Sequence, residues 1–298
     1  MTYAMERNLE LYEARGDRYV VCDGKVFRPN GALARPDGPI CFDYNVSSDQ
    51  AKYIMGEIGC RALLTTDGFS GNQASPWYAV ICRKFRRLDD YKAKYRSEIR
   101  RGLRNCTAQQ IDGDYLTKHG YDVYRKAFAR YTGSPTSIWS EQQFVRFVEI
   151  TAEFGDIEHF WGVFHEGSMI AYAMNDLFPK TQVTYWAIKM DPAYTSQYPV
   201  YALMYSMNEY YLGEQGYEYA NDGWRSIRHE TNIQDFLIKK FNFEKAHSNI
   251  QIMYDLPTSM VARLGYPLRG PLGRMCKPLK TFFSLEEIRR DSRRTFDQ

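Results

Sequence analysis

The 298-residue chain carries a formal charge of only +3, which excludes a general affinity for polyanions, and its apolar fraction of 44 % suffices for a sizeable core. No run of about 18 apolar residues exists, so no membrane span is expected, and the polar start Met1-Thr2-Tyr3-Ala4-Met5-Glu6-Arg7 lacks the apolar stretch of a signal peptide. Cys22, Cys41, Cys60, Cys82, Cys106 and Cys276 form no CxxC pair and have no His companion at metal spacing. That pattern points to reduced thiols in a cytoplasmic protein and to no metal site.

Residues 1–75 read as a small accessory α+β region. Arg18 to Phe27 carries a hairpin around Asp23-Gly24. Pro29 to Pro39 is a Pro- and Gly-rich loop. A strand-like Ile40-Cys41-Phe42 follows, then a helix capped at Ser47-Ser48-Asp49, then a strand at Ala62-Leu63-Leu64. The polar, Gly-rich stretch Gly68 to Ser75 marks a boundary. No internal repeat or low-complexity segment stands out.

Residues 76–255 form the second unit. A strand at Tyr78–Cys82 runs into the most basic stretch of the chain, Arg83 to Arg104. Ile99 and Leu103 give a helix from Lys94 to Arg104 a thin apolar stripe. Arg96, Arg100 and Arg104 then share another face, where like charges four apart repel. Either an anion or neighbouring carboxylates offset that repulsion, or the run is a solvated face. Helices follow over Asp114–Tyr131 and, capped by Ser140, Glu141–Phe154. Gly133 to Ser137 is the loop between them.

A hairpin comes next: His159–Phe164, a Glu166-Gly167 turn, then Met169–Met174. The third strand, Val183 to Met190, is apolar on both faces and so central. Val200, Leu203, Met204, Met207 and Tyr211 recur at helical spacing. A short strand at Tyr217–Ala220, a helix with Ile233, Phe236 and Leu237 inward, and a last strand, Asn249 to Tyr254, complete the order. A strand–helix–strand crossover needs parallel neighbours. The expected sheet is therefore mixed: mostly antiparallel, with Val183–Met190 and Tyr217–Ala220 parallel and splayed at their C-terminal ends. Residues 256–298 are a basic tail in which prolines interrupt the apolar pattern. They argue against one long membrane-surface helix and for a tail wrapped on the domain, ending in a helix from Ser284 to Arg294.

This order of elements resembles the GNAT superfamily of acyl-CoA N-acyltransferases over residues 77–254. Two stretches sharpen the likeness toward its Fem-type and related acetyltransferase branches. Lys94-Tyr95-Arg96-Ser97-Glu98-Ile99-Arg100-Arg101-Gly102-Leu103 is similar to their Lys/Arg-rich helix. Asn232-Ile233-Gln234-Asp235-Phe236-Leu237-Ile238-Lys239-Lys240-Phe241-Asn242-Phe243 is similar to their late helix and the turn after it. The resemblance implies an α/β fold and transfer of an acyl group, acetyl first among them, from acyl-CoA to an amine of a small molecule or amino sugar. The usual glycine-bearing turn that holds the CoA pyrophosphate on bare amides is absent. Asp191-Pro192-Ala193-Tyr194-Thr195-Ser196-Gln197-Tyr198-Pro199-Val200 stands in its place. By the same resemblance Ser196, Gln197, Tyr198, Val200 and Tyr201, with Ile188, Met190 and Asn232, are the donor contacts. Fem-type relatives also lack the glycine turn and take aminoacyl groups from tRNA, so that donor stays open. A non-catalytic binding module that keeps the fold is the third reading.

Attack of an amine on a thioester or ester needs a proton acceptor and a donor near the leaving atom. Asp222 to Asn232 packs Asp, two Arg, His, Glu and Asn into one segment just past a strand end. Asp222 and His229 are its catalytic candidates and Arg225 a substrate contact. Tyr254 is the candidate acid, with Tyr185 beside it, although among 24 tyrosines residue type alone singles out neither. Asn175 and Asp176, polar in an apolar strand, and Arg100 on the basic helix are acceptor-pocket candidates.

Overall fold

The computed structural model describes residues 3–71, 73, 75–129, 138–225, 232–275 and 277–296. The chain opens with α1 (Tyr3–Arg15), which the sequence reading missed, then β1 (Val20–Cys22), β2 (Lys25–Asn30), β3 (Leu33–Asp37), α2 (Ser48–Ile58) and β4 (Ala62–Thr66). β5 (Trp77–Cys82), α3 (Ala93–Asn105), β6 (Thr107–Ile111), α4 (Gly113–Phe128) and α5 (Glu141–Ala152) follow. The meander β7 (Glu158–His165), β8 (Ser168–Phe178) and β9 (Gln182–Met190) leads to α6 (Pro199–Asn208), β10 (Tyr219–Trp224), α7 (Asn232–Phe241), β11 (Glu244–Ser248) and β12 (Ile250–Tyr254). The tail is α8 (Leu256–Gly265), α9 (Arg269–Met275) and α10 (Lys277–Phe296).

Local chemistry accounts for many of these limits. The hairpin turns Asp23-Gly24 and Glu166-Gly167 place both residues at positive φ, the backbone of a two-residue turn whose twist matches its strands. Ser47 and Ser140 each close a capping box with the Gln three residues on, which satisfies two amides that a helix start leaves bare. Ile40–Phe42 is no strand: Ile40 N–H donates to the Gln182 side chain, and Phe42 N–H closes a turn onto Pro39. The expected loop at Gly133 to Ser137 lies outside the described residues. In the tail, Pro257 and Pro278 stand in the first turns of α8 and α10, where a missing N–H costs nothing. The last helix therefore starts at Lys277 and not at Ser284.

Two mixed sheets result, with orders β1-β2-β3-β4-β12 and β11-β5-β10-β9-β8-β7-β6. Each contains an antiparallel meander, a helix, and a strand parallel to the last strand of the meander: β1-β2-β3-α2-β4 and β7-β8-β9-α6-β10. The repeat absent from the residues is present in the topology. Neither sheet is continuous in sequence. β5 follows β4 but enters the larger sheet, antiparallel to both β10 and β11. The strand expected to finish that sheet, Asn249 to Tyr254, instead pairs with β4 in the smaller one as β12. A strand pairs where an open edge awaits it, and β11 already covers the other edge of β5. α10 packs on β12 through Leu285 and Ile288, beside Trp77 of β5.

On the larger sheet, α3, α6 and α7 cover one face, and α4 and α5 the other. Gly102 sets how closely α3 crosses the start of α6: a Cβ there would stand 2.7 Å from Tyr198 O and 3.0 Å from Ala202 N. Gly102→Ala gains helix propensity but forces the two helices apart. A net loss of about 1–3 kcal/mol is expected in urea denaturation; unchanged stability would show that the crossing is loose.

Candidate active site

β9 and β10 run parallel for three pairs, Tyr219 with Gln182, Ala220 with Val183 and Asn221 with Thr184, and then part. β9 continues to Met190 against β8, and β10 to Trp224 against β5. Asn221 fixes the apex. It is fully buried, and its Nδ2 donates to Val183 O and to Thr184 Oγ1, each at 3.1 Å. Its Oδ1 accepts from the N–H of Gly223, whose positive φ turns the strand. The register against β5 also shifts between Asn221 and Trp224, the irregularity by which strands commonly re-aim a side chain near a site.

Asp222 sits in that irregular step. Burial pushes its carboxyl up to about 7, against a smaller opposing hydrogen bond from Gln234 of α7. A half-buried carboxylate that gains or loses its proton near neutral pH is suited to accept one from an amine. Its expected companion His229 lies outside the described residues. Ile188 and Met190 are half-buried on the free length of β9. Asn232 opens α7.

Other predicted residues do different work. Tyr185 is buried and donates to Asn208 Oδ1 on α6 at 3.0 Å, and burial lifts its pKa well above the phenol value. Arg225 is committed to the start of β5: its N–H and Nη1 donate to Tyr78 O and Pro76 O. Tyr254 belongs to the smaller sheet, with Arg289 of α10 over its ring. Asn175 is fully buried. Its Nδ2 donates to Met207 Sδ and to the Tyr211 hydroxyl, which also accepts from Trp161 Nε1 and lies 3.0 Å from His159 Nδ1. Tyr211 occupies a π-helical turn, Glu209–Glu214, that extends α6.

Asp176 lies directly across from Glu158 on one side and Thr184 on the other. Sequence reading missed Glu158 and its partner Arg15, whose Nη2 donates to it at 2.9 Å. The signal was present as a lone acid opening an apolar strand. Burial first, and each other's charge in part, hold the Asp176 carboxyl well above its ordinary range. Among the described residues its Oδ1 is buried without a partner.

At the start of α6, Tyr198 takes a left-handed conformation and its carbonyl accepts from Tyr201 N–H and Ala202 N–H. Asn105 Nδ2 donates to Gln197 Oε1, and Arg101 lies 4.9 Å over the Tyr198 ring. Ser196 is exposed, while Val200 and Tyr201 are half-buried. α3 thus packs on the turn expected to offer bare amides to a phosphate and brings the Arg101 guanidinium to the same place. Arg96, Ser97, Arg100, Arg101 and Arg104 line a cavity of about 370 Å³. Arg96 and Arg100 face one acid, the exposed Asp89, at 3.8 and 3.1 Å.

No protein-family model and no curated protein matches the sequence. Among solved structures, the crystal structure of FemX superposes with a TM-score of 0.53 at 12 % identity, covering 80 % of this chain and 88 % of that one. The chain has a GNAT-like fold of the Fem type. The C-terminal domain (DUF2156) of a putative lysylphosphatidylglycerol synthetase from Agrobacterium fabrum follows at 0.48 and 11 % identity, covering 87 % of this chain and 90 % of that one. A GCN5-related N-acetyltransferase from Kribbella flavida stands at 0.43 and 8 %, covering 85 % and 95 %. Within the GNAT-like fold the parting of β9 from β10 is the feature that the resemblance in sequence implies.

The Asp176 carboxyl generates a stability prediction. Its folded pKa is raised, so the folded chain binds more protons than the unfolded one between the two values. The favourable balance is complete below the unfolded carboxylate pKa of about 4 and is lost as pH rises through the folded value. Asp176→Asn should therefore melt higher than the parent at about pH 8 and fall less between about pH 5 and pH 8. Thermal unfolding with an unchanged pH slope would show that Asp176 does not titrate in the fold.

Proposed function

We propose that the protein is an N-acyltransferase that moves an acyl group from a CoA thioester to the amine of a small molecule. The parting of β9 and β10, with a carboxyl poised near neutral pH at its apex, carries this reading. The amine nitrogen attacks the thioester carbon, Asp222 takes a proton from that nitrogen, and the C–S bond breaks as the amide forms. The departing thiolate then takes up a proton. Fully buried Asn221, pinned to β9, keeps the apex rigid, so the geometry of attack is set before substrate arrives. The donor's phosphates would lie at the start of α6, Ser196–Tyr201, beside the Arg101 guanidinium of α3.

Asp222→Asn should lower kcat/KM by about 10²–10⁴-fold, the usual contribution of a general base. In the parent, the rate should rise with pH through about 7 as the carboxylate forms, and the variant should lose that limb. A variant that keeps both rate and profile would remove Asp222 from the reaction.

The arginine row on α3 favours a second donor, aminoacyl-tRNA, because guanidinium groups along an exposed helix suit an RNA backbone. Arg100 pairs with an acid that is itself 83 % exposed, so Arg100→Glu should leave the melting temperature nearly unchanged. Under the CoA reading the variant loses affinity for acetyl-CoA in calorimetry. Under the tRNA reading acetyl-CoA does not bind the parent, and salt-dependent tRNA binding is what the variant loses.

A further inference from the structure

The C-terminal helices expose an apolar stripe beside a run of cations. Leu256 and Leu264 of α8 are 76 % and 72 % exposed, and Met260, Val261 and Leu268 are each more than half exposed. Leu256, Met260 and Leu264 recur every four residues, Val261 flanks them, and Leu268 follows in the 3-10 turn after α8. They therefore form one continuous stripe. The opposite side of α8 seats the helix. Ala262 is buried, and a Cβ on Gly265 would lie 3.3 Å from the Phe283 ring of α10. α8 is thus held by its small residues and turns its large ones outward, the reverse of a helix that covers a core. Single exposed leucines are ordinary, whereas a contiguous stripe marks an interaction face.

The charge between the Asp255 cap of α8 and Glu286 of α10 is of one sign. From Leu256 to Leu285 the chain holds Arg263, Arg269, Arg274, Lys277 and Lys280 and not one Asp or Glu, although the whole protein has 39 basic residues against 36 acidic. A second copy of this face would set exposed Arg263 and Arg269 against their own kind. An anionic phospholipid surface offers apolar depth and negative charge together. Among the described residues no helix is long and apolar enough to cross a membrane, so the contact is with one leaflet. We propose that α8 and the turn after it lie in the surface of an anionic bilayer, with the leucine stripe at the acyl–headgroup boundary and the exposed cations Arg263, Arg269 and Lys280 on lipid phosphates.

Co-sedimentation of the full chain with vesicles tests this. The chain should bind vesicles of phosphatidylcholine mixed with one-third phosphatidylglycerol, release as salt shortens the screening length, and bind pure phosphatidylcholine far more weakly. Met260→Glu combined with Leu264→Glu should weaken binding by at least about tenfold, since two apolar anchors are lost and two like charges gained. Neutralising Arg263 and Lys280, each to Gln, should weaken it by about fivefold per cation. Both sites are exposed, so the melting temperature should not move; the cation variants keep the test open if the double Glu variant melts early. Equal binding to neutral and anionic vesicles, or full binding by the variants, would overturn the proposal. So would a dimer in ultracentrifugation that the double Glu variant abolishes, because a second copy would then cover the stripe.

Discussion

Strand β5 is the constraint on which the rest depends. Trp77, Ala79, Val80, Ile81 and Cys82 are all buried, and the strand bonds to β10 on one edge and β11 on the other. Because β10 is held along β5, it is free to leave β9 after Asn221 without losing its place in the sheet. A strand that parts from its neighbour exposes backbone groups on both edges, and such a gap survives only where each strand is secured on its far side. β8 secures β9, and β5 secures β10. β12 makes the reciprocal connection to β4, so the chain crosses between the two sheets at both ends of β5–β11.

Charge is divided sharply between the inside and the surface. Burial raises the carboxyls of Asp222, Glu158 and Asp176, and in each the desolvation cost exceeds what the neighbouring donors return. Arg15 partly offsets it at Glu158, while at Asp222 the hydrogen bond from Gln234 is what opposes burial among the described residues. That difference separates an acid held in a packed pair from one left at the apex of a gap. The cations instead gather on α3 and in the tail, on surfaces where a partner can reach them.

Much of the fold was legible because apolar spacing reports which face of an element is buried. The hairpin β7–β8, central β9, α6 and the parallel relation of β9 and β10 all follow from runs whose side chains must avoid water. Sequence missed three strands: Leu33–Asp37, which lies in the stretch read as a Pro- and Gly-rich loop, and Thr107–Ile111 and Glu244–Ser248, which are the edges of the larger sheet. Edge strands are held by backbone bonds on one side and need few apolar residues, so Gln109, Gln110, Glu244 and Lys245 left no strand signal. α1 was hidden for a related reason: it buries Leu11 and Tyr12 yet is polar on average.

The sequence alone determined the order of the second meander and its crossover, the caps at Ser47 and Ser140, the hairpin turns and the basic character of α3, because each depends on residues close in the chain. Tertiary structure decided the rest. It placed β12 in the smaller sheet and not at the end of the larger one, since backbone pairing is indifferent to which strand supplies the partner. It set α3 across the start of α6, where a glycine permits contact that no spacing rule foretells. It also raised the Asp222 carboxyl, left Tyr254 in another sheet, and turned the leucines of α8 outward, because burial belongs to a place in the fold and not to a residue type.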